Sequence, residues 1–215
     1  MSIPSRALSR AVLAGVSGLA LTIAGAAAAP AGAGATAVYV ADDLRGADTV
    51  GVAQQALSAL QRSDRANYAV LRQRLAALVA PQAGLDPLGL DAVWSGADPR
   101  RMVALLSALT QVGVPYRRLG NIPGQGFDCS GLTSWAWSQS GVGLPHQSGR
   151  QIRGVRSISV AEVKPGDLLY FPGHVMMALG VGGAMVHAPN SGNVVEIKML
   201  SERQHRSLRA GDPLT

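Results

Sequence analysis

Cys129 is the only cysteine of the 215-residue chain, and it lies within Gly126–Gly131, where a helical pattern begins. A single cysteine cannot form a disulfide within its own chain. A thiol at a helix N-terminus experiences the positive end of the helix dipole, so we expect it to ionise more easily than a free cysteine. The expected chemistry is nucleophilic attack, and the alternative is a buried, unreactive thiol.

A cysteine nucleophile needs a base within hydrogen-bond reach, and the base needs a third group to orient it. His174 and His187 lie on two successive predicted strands that a glycine-rich turn separates. If Leu179 pairs with Ala184, the two histidines are diagonal neighbours about 7–8 Å apart at the backbone, a gap that two imidazole rings can bridge. The spacing therefore allows a Cys–His–His triad with Cys129.

Other polar residues give weaker candidates. Glu196 lies on a later predicted strand and could replace His187 as the orienting group. His146 is interpreted as an exposed loop histidine, with substrate contact as the alternative, and His205 as a bystander in a basic tail. The three triad side chains could instead bind zinc, but zinc motifs usually contain a close-spaced ligand pair, and the two histidines are 13 residues apart. We therefore expect no metal and no cofactor.

Two amphipathic helices are predicted ahead of Cys129. The first spans Thr49–Arg62, and the second begins after the capping residue Asp64 and ends at Pro81. Arg72 and Arg74 are predicted on the exposed face of the second helix. Helices this short are marginal alone in water, so we expect the pair to pack on the rest of the chain or on another copy.

The segment Gln82–Gly96 contains a proline and three glycines and is predicted to be a linker. The two helices before it could act as a spacer, as a docking arm, or as a lid over the cleft. The predicted domains are a signal over residues 1–35, a helical hairpin and linker over residues 36–97, and a catalytic domain over residues 98–215.

Helices are followed by strands in the catalytic region. Asp98 and Pro99 carry the cap and first-turn signals of a helix, and the later helix with Cys129 has Trp135 assigned to its buried face. The pattern then becomes strand-like over short apolar runs, which are Leu168–Phe171, Val175–Leu179, Ala184–His187 and Val194–Ile197. This order predicts an α+β domain in which the nucleophile helix packs on an antiparallel sheet, preceded by a small helical hairpin.

Residues 1–35 show a basic start, an apolar run and a tail of small residues, the three-part pattern of a secretory signal. The alternative is a membrane anchor, but glycines and polar residues dilute the apolar run. With the signal removed, we expect a secreted protein without an integral membrane segment. The formal net charge is +6, yet aromatic residues are only 4% and no dense basic run is present, so no nucleic-acid partner is expected.

Four motifs occur in one order along the chain: Phe127–Leu132, Lys164–Phe171, Gly173–Val175 and His187–Pro189. Together they resemble the NlpC-type cysteine peptidases of bacterial cell walls, a compact papain-like family, over about residues 99–200. The resemblance implies hydrolysis of peptidoglycan stem peptides, commonly between D-glutamate and a diamino acid. It also implies a protein located at the cell wall, and we expect it to act as a monomer.

The resemblance assigns roles to six side chains in the cleft. These are Cys129 as nucleophile, His174 as base, His187 as third member, Tyr116 as an oxyanion donor, and Asp128 and Ser130 as substrate-binding neighbours of the nucleophile. The chain departs from the family pattern at Arg117 and Arg118, which follow the tyrosine, and at Met176 and Met177, which we expect to narrow the cleft.

Overall fold

The computed structural model describes residues 49–205 and 207–214, so the signal predicted over residues 1–35 lies outside the described residues. The helices are α1 Thr49–Gln61, α2 Arg65–Val79, α3 Pro87–Ser95, α4 Pro99–Leu109, α5 Cys129–Ser138, α6 Ser148–Gly154 and α7 Glu202–His205. Short 3₁₀ turns cover Ala80–Ala83 and Val160–Glu162. The strands are β1 Asn121–Ile122, β2 Gly126–Phe127, β3 Arg156–Ile158, β4 Leu168–Phe171, β5 His174–Ala178, β6 Ala184–His187, β7 Glu196–Met199 and β8 Arg209–Asp212.

Within the described residues, the main sheet has six antiparallel strands in the order β3-β8-β4-β5-β6-β7. Helix α5 packs against β5 and β6 of this sheet. The prediction of an α+β fold with the nucleophile helix on an antiparallel sheet is therefore confirmed. β3 and β8 had no counterpart among the predicted strands, and β8 lies in the interior of the sheet, where a basic tail was expected.

Side-chain caps begin the helices where the sequence predicted. Asp64 accepts a hydrogen bond from the backbone N–H of Asn67 at 3.2 Å, and Asp98 accepts one from Arg100 at 2.7 Å. Each cap satisfies one of the free N–H groups of a first turn. The starts of α2 and α4 are therefore confirmed.

The linker prediction for Gln82–Gly96 is wrong, because helix α3 occupies most of this segment. Asp86 caps the helix through the N–H of Gly89 at 2.6 Å, and Pro87 takes its first position, where proline begins a helix rather than breaking one. Leu90 and Trp94 are buried on its inner face.

Helices α1, α2 and α3 share one hydrophobic core with α4, α5 and the sheet. The expectation that the short helices pack on the rest of the chain is confirmed. The exposed-face prediction for Arg72 is wrong, since its Nε lies 2.7 Å from Oδ1 of Asp91 on α3 and both side chains are largely buried. This ion pair fixes α3 against α2.

The assignment of Trp135 to the buried face of α5 is wrong. Trp137 is the fully buried tryptophan, and its indole N–H donates to the carbonyl of Gly166 at 3.0 Å. Trp135 is partly exposed and packs against Phe127 with 5.4 Å between ring centroids. Two residues two apart on a helix cannot share a face, and the residues alone did not show which one points inward.

A buried ion network ties α4 to the sheet. Arg101 is buried and bonds Asp167, in the turn before β4, at 2.5 Å, and Asp212 at the end of β8. Arg156 on β3 also bonds Asp212. Burial alone would raise the pKa of Asp212, but the N–H of Leu214 and the two guanidinium groups hold it below the ordinary value.

Candidate active site

Cys129 is the first residue of α5, and the backbone around it is held by the preceding cap. Oδ1 of Asp128 accepts hydrogen bonds from the N–H of Gly131 at 2.7 Å and from the hydroxyl of Ser130 at 3.0 Å. A Cβ on Gly131 would lie 1.9 Å from the carbonyl oxygen of Gly120, so only glycine lets that loop approach the helix. The sequence Asp-Cys-Ser-Gly therefore fixes the start of the helix.

The Cys129 thiol is half-buried, and the backbone N–H groups of Val175 and Ser130 lie near enough to favour its ionised form. Burial raises the pKa of the thiol above its ordinary value, and these N–H groups only partly offset it. The expectation of an easily ionised thiol is therefore wrong, because the loss of water around the thiolate raises the pKa more than the N–H groups at the helix N-terminus lower it. Because Val175 follows His174 on β5, this influence indicates that the thiol lies near the start of that strand.

The two histidines lie together at one end of the sheet. β5 pairs with β6 through Met177–Val186 and Ala178–Met185, the register that follows from pairing Leu179 with Ala184. Nε2 of His174 lies 2.8 Å from Nδ1 of His187, and the rings meet edge to face at 5.1 Å. The predicted diagonal placement is confirmed.

Both imidazoles are held in their neutral forms. Burial, and secondarily the neighbouring His187, lowers the pKa of His174 to about 4. Burial also lowers the pKa of His187, while the carboxylate of Glu196 acts in the opposite direction. At neutral pH the site therefore contains a neutral thiol beside neutral imidazoles.

Glu196 continues the line of polar groups behind His187. It is the first residue of β7, directly opposite His187 in the strand register, and its Oε1 lies 3.2 Å from Nε2 of His187. The sequence suggested Glu196 as a replacement for His187, whereas the structure places it as a further group in series. This placement depends on the pairing of β6 with β7. The turn between those two strands is too long for the sequence to predict their register.

A cavity of about 730 Å³ opens along this side of the histidine pair. Its walls include His174, His187, Glu196 and Lys198, with Asn190 at its rim. The ring of Phe171 packs against the imidazole of His174, with 5.2 Å between ring centroids, and so supports this histidine.

The other predicted cleft residues gather around the N-terminus of α5. Burial raises the pKa of Tyr116, and the nearby charges of Asp128 and Cys129 add to this. Asp128 is only 7% exposed. Its two carboxylate oxygens accept hydrogen bonds from four protein donors, which are the N–H groups of Leu119, at 3.0 Å, and Gly131, the hydroxyl of Ser130 and Nε2 of His146. The structure thus brings together Tyr116, Asp128 and Ser130, the side chains expected to bind substrate.

The interpretation of His146 as a solvent-exposed loop histidine is wrong. Its Nε2 lies 2.9 Å from Oδ1 of Asp128, and its side chain is about three-quarters buried. A loop that folds back over a helix N-terminus carries no periodic signal, so the sequence could not show this contact.

The expected narrowing of the cleft by methionines is also wrong. Met176 and Met177 are fully buried, on opposite faces of β5, in two separate apolar clusters. Arg117 and Arg118 are exposed beside Tyr116.

Among residues 49–205 and 207–214, no group of three or more His, Cys, Asp and Glu side chains is arranged to hold a metal ion. Over the same residues, none of the helices combines the length and apolar character needed to cross a bilayer.

Comparison with known proteins gives three findings. Residues 113–209 match the model of the NlpC/P60 family. A protein of Mycobacterium tuberculosis named a probable endopeptidase is 42% identical over 105 residues, which cover 47% of this chain and 27% of that protein. A γ-D-glutamyl-L-lysine dipeptidyl-peptidase of Bacillus subtilis is 35% identical over 99 residues, which cover 42% of this chain and 33% of the enzyme.

The fold is also similar to solved structures. The crystal structure of an NlpC/P60 family protein from Bacillus cereus aligns with a TM-score of 0.50 and 30% identity, covering 54% of this chain and 40% of that one. The chain thus matches only about a quarter to a third of the length of these two sequence relatives, and less than half of this crystallised protein.

Proposed function

Since residues 113–209 belong to the NlpC/P60 family, we propose that the protein is a peptidoglycan endopeptidase that cleaves stem peptides with a thiol nucleophile. The observation that carries the proposal is the shared location of the reactive groups. The backbone N–H of Val175 is near enough to Cys129 to lower the pKa of its thiol, and Nε2 of the preceding His174 lies 2.8 Å from Nδ1 of His187. We therefore propose Cys129 as the nucleophile, His174 as the base and His187 as the orienting group.

The first step is attack of the Cys129 sulfur on the scissile carbonyl carbon. Because the thiol and His174 are both neutral at rest, the proton moves to the imidazole as the carbon–sulfur bond forms. The resulting imidazolium is stabilised through His187, whose far nitrogen faces the carboxylate of Glu196. General-base assistance of this kind contributes about 10²–10⁴ in rate.

The negative charge that develops on the carbonyl oxygen needs preorganised donors. The phenol of Tyr116 supplies one, and a single donor of this type is worth about 10²–10³ in rate. His174 then returns its proton to the leaving amine, which leaves an acyl-enzyme. A water molecule, deprotonated by the same imidazole, attacks the thioester and releases Cys129.

We propose the bond between D-glutamate and a diamino acid as the target. Support comes from the relative of Bacillus subtilis, whose name specifies a γ-D-glutamyl–L-lysine bond. Asp128 and Ser130 lie beside the nucleophile, where a stem peptide must bind. We further propose that residues 1–35 direct export and that the protein acts at the cell wall as a monomer.

The test is incubation of the purified protein with purified muropeptides, followed by mass spectrometry of the products. Cys129→Ala should abolish cleavage without loss of fold, and His174→Ala should be nearly as severe. His187→Ala should be milder, because water or Glu196 can partly replace an orienting group. His205→Ala is the matched control, since this histidine is outside the cleft and should leave the rate unchanged.

The product spectrum separates the alternatives. Binding without cleavage by the wild-type protein would indicate a non-catalytic wall-binding module. A new acyl or amide product without stem-peptide hydrolysis would indicate a papain-like acyltransferase or amidase. Chelator treatment should leave the rate unchanged, and a loss that zinc alone restores would contradict the thiol mechanism.

A further inference from the structure

Three polar side chains form a line that leads away from the nucleophile. The bonded atom pairs are Nε2 of His174 with Nδ1 of His187 at 2.8 Å, and Nε2 of His187 with Oε1 of Glu196 at 3.2 Å. His187 uses both of its ring nitrogens in this line, whereas His174 uses only Nε2. The remaining nitrogen of His174 is therefore Nδ1, which lies on the side of the ring nearer its own backbone.

The donor and acceptor roles in this line are fixed by its far end. A carboxylate only accepts hydrogen bonds, so Nε2 of His187 must carry the proton. A neutral imidazole has one N–H, which leaves a lone pair on Nδ1 of His187. That lone pair faces Nε2 of His174, which must then be the protonated nitrogen. Nδ1 of His174 is left with the lone pair that a general base needs.

The opposite arrangement would disable the site. If Nδ1 of His187 carried the proton, Nε2 of His174 would have to accept it, and Nδ1 of His174 would be protonated and unable to take a proton from a thiol. This arrangement also directs a lone pair of His187 at the carboxylate. His187 is only 6% exposed, so water cannot easily relieve that contact.

We propose that Glu196 is a positioning residue that sets the tautomers of His187 and His174 and so makes Nδ1 of His174 the basic nitrogen. This inference rests on the proposed peptidase function for its kinetic consequence, but its structural content stands apart from that function. The strand register supports it, because Glu196 lies opposite His187 across the β6–β7 pair, and its position is therefore set by the sheet.

Lys198 is the other charged group beside this line. Its Nζ lies 3.5 Å from Oε1 of Glu196, and its positive charge lowers the pKa of His187. Its side chain is mostly exposed and has no hydrogen bond to either imidazole among the contacts of the described residues. Lys198 therefore provides a control variant that changes the local charge without changing the acceptor for His187.

The direct test is the protonation of each ring nitrogen, measured by long-range ¹H–¹⁵N correlation spectra of the full-length protein labelled at its four histidines. Signals are assigned with His146→Gln and His205→Gln. In the wild-type protein, Nε2 should carry the proton in both His174 and His187. A bare Nε2 on His174 would overturn the proposal.

Two substitutions at Glu196 should differ in their effect on the tautomers and in the size of the loss in kcat. Glu196→Gln keeps an acceptor oxygen of the same length, so the tautomers should stay and kcat should fall by less than about 10-fold. Glu196→Lys offers a donor, which should reverse both tautomers and lower kcat by about 10²–10⁴-fold with a nearly constant KM, as expected when a catalytic imidazole is held in the wrong tautomer.

Two control variants separate tautomer from charge. Lys198→Met removes a neighbouring charge, and Asn190→Lys adds one at the rim of the same cavity; neither should change the tautomers. If the wild-type protein cleaves no muropeptide, the spectra still decide the proposal. If it cleaves muropeptides and Glu196→Lys leaves tautomers and kcat unchanged, Glu196 has no positioning role although the proposed function stands.

Discussion

Trp94 gives the sharpest test of how the N-terminal helices serve the site. The side chain is 1% exposed, and its indole N–H donates to the carbonyl of Leu179 at 2.8 Å. Leu179 directly follows β5, in the turn that leads into β6, so α3 is hydrogen-bonded to the hairpin that carries both histidines. Removing this side chain should loosen the hairpin as well as the core.

The expected cost follows from the burial of the ring. Replacing a fully buried tryptophan with alanine costs about 3–5 kcal/mol, because a cavity adds to the lost burial of apolar surface. Trp94→Phe keeps most of that surface but leaves the Leu179 carbonyl without its donor, which costs about 1–3 kcal/mol. Val93→Ala is the control, because Val93 is next to Trp94 in the chain but is 36% exposed. This substitution should change the free energy of unfolding by less than about 0.5 kcal/mol.

The assay is urea unfolding followed by far-ultraviolet circular dichroism, which does not depend on the fluorescence of the removed tryptophan. With a slope of about 2 kcal/mol per molar urea, Trp94→Ala should lower the midpoint by about 2 M at constant slope. A midpoint within about 0.5 M of the wild type would refute the claim that α3 supports the hairpin and would restore its interpretation as a linker.

Deletion of residues 49–97 extends this test. Helix α1 packs on α4, and the turn after α2 contacts β7, so their removal uncovers apolar surface on the catalytic domain. We expect the remaining residues to lose stability and muropeptide cleavage together. A large gain in cleavage would show instead that the helices act as a lid.

Three further predictions concern charge. Because burial raises the pKa of Cys129, its rate of alkylation by iodoacetamide should rise only at alkaline pH, and a rate plateau between about pH 4 and 8 would show the thiolate–imidazolium pair that we exclude. His174 has a pKa of about 4 in the folded protein against 6.5 in the unfolded chain. Its burial as a neutral imidazole therefore leaves the free energy of unfolding unreduced above pH 6.5 and lowers it as the pH falls toward 4. Urea unfolding should show the wild type losing on the order of 2 kcal/mol more than His174→Gln over this range. Arg101→Met leaves Asp167 and Asp212 without their buried partner, and thermal and urea unfolding should show a loss of about 3–5 kcal/mol that Asp212→Asn partly restores, whereas equal stability of wild type and Arg101→Met would contradict a structural role for the network.

The local features of the site could be predicted from the sequence. The start of α5 at Cys129 follows from the Asp-Cys-Ser-Gly cap, and the pairing of His174 with His187 follows from a short glycine-rich turn. Both are contacts between near neighbours in the chain, where spacing alone restricts the geometry.

The missed features depend on contacts that are distant in sequence or on a balance of opposing effects. Glu196 meets His187 only because β7 adds to the sheet after a long turn, and Arg101 meets Asp212 across 111 residues. The ionisation of Cys129 was misjudged because the helix N-terminus is visible in the sequence, whereas the burial that opposes it is a property of the folded domain.

The interior position of β8 has a consequence for how the domain is assembled. β3 is joined to the rest of the sheet through β8, which follows it by about 50 residues and lies between β3 and β4. During synthesis from the N-terminus, β3 and β4 must wait until residues 209–212 have been made before the sheet can close. Such late, non-local closure slows folding. If the chain is exported as proposed above, we expect this late closure to keep the sheet open until residues 209–212 are available.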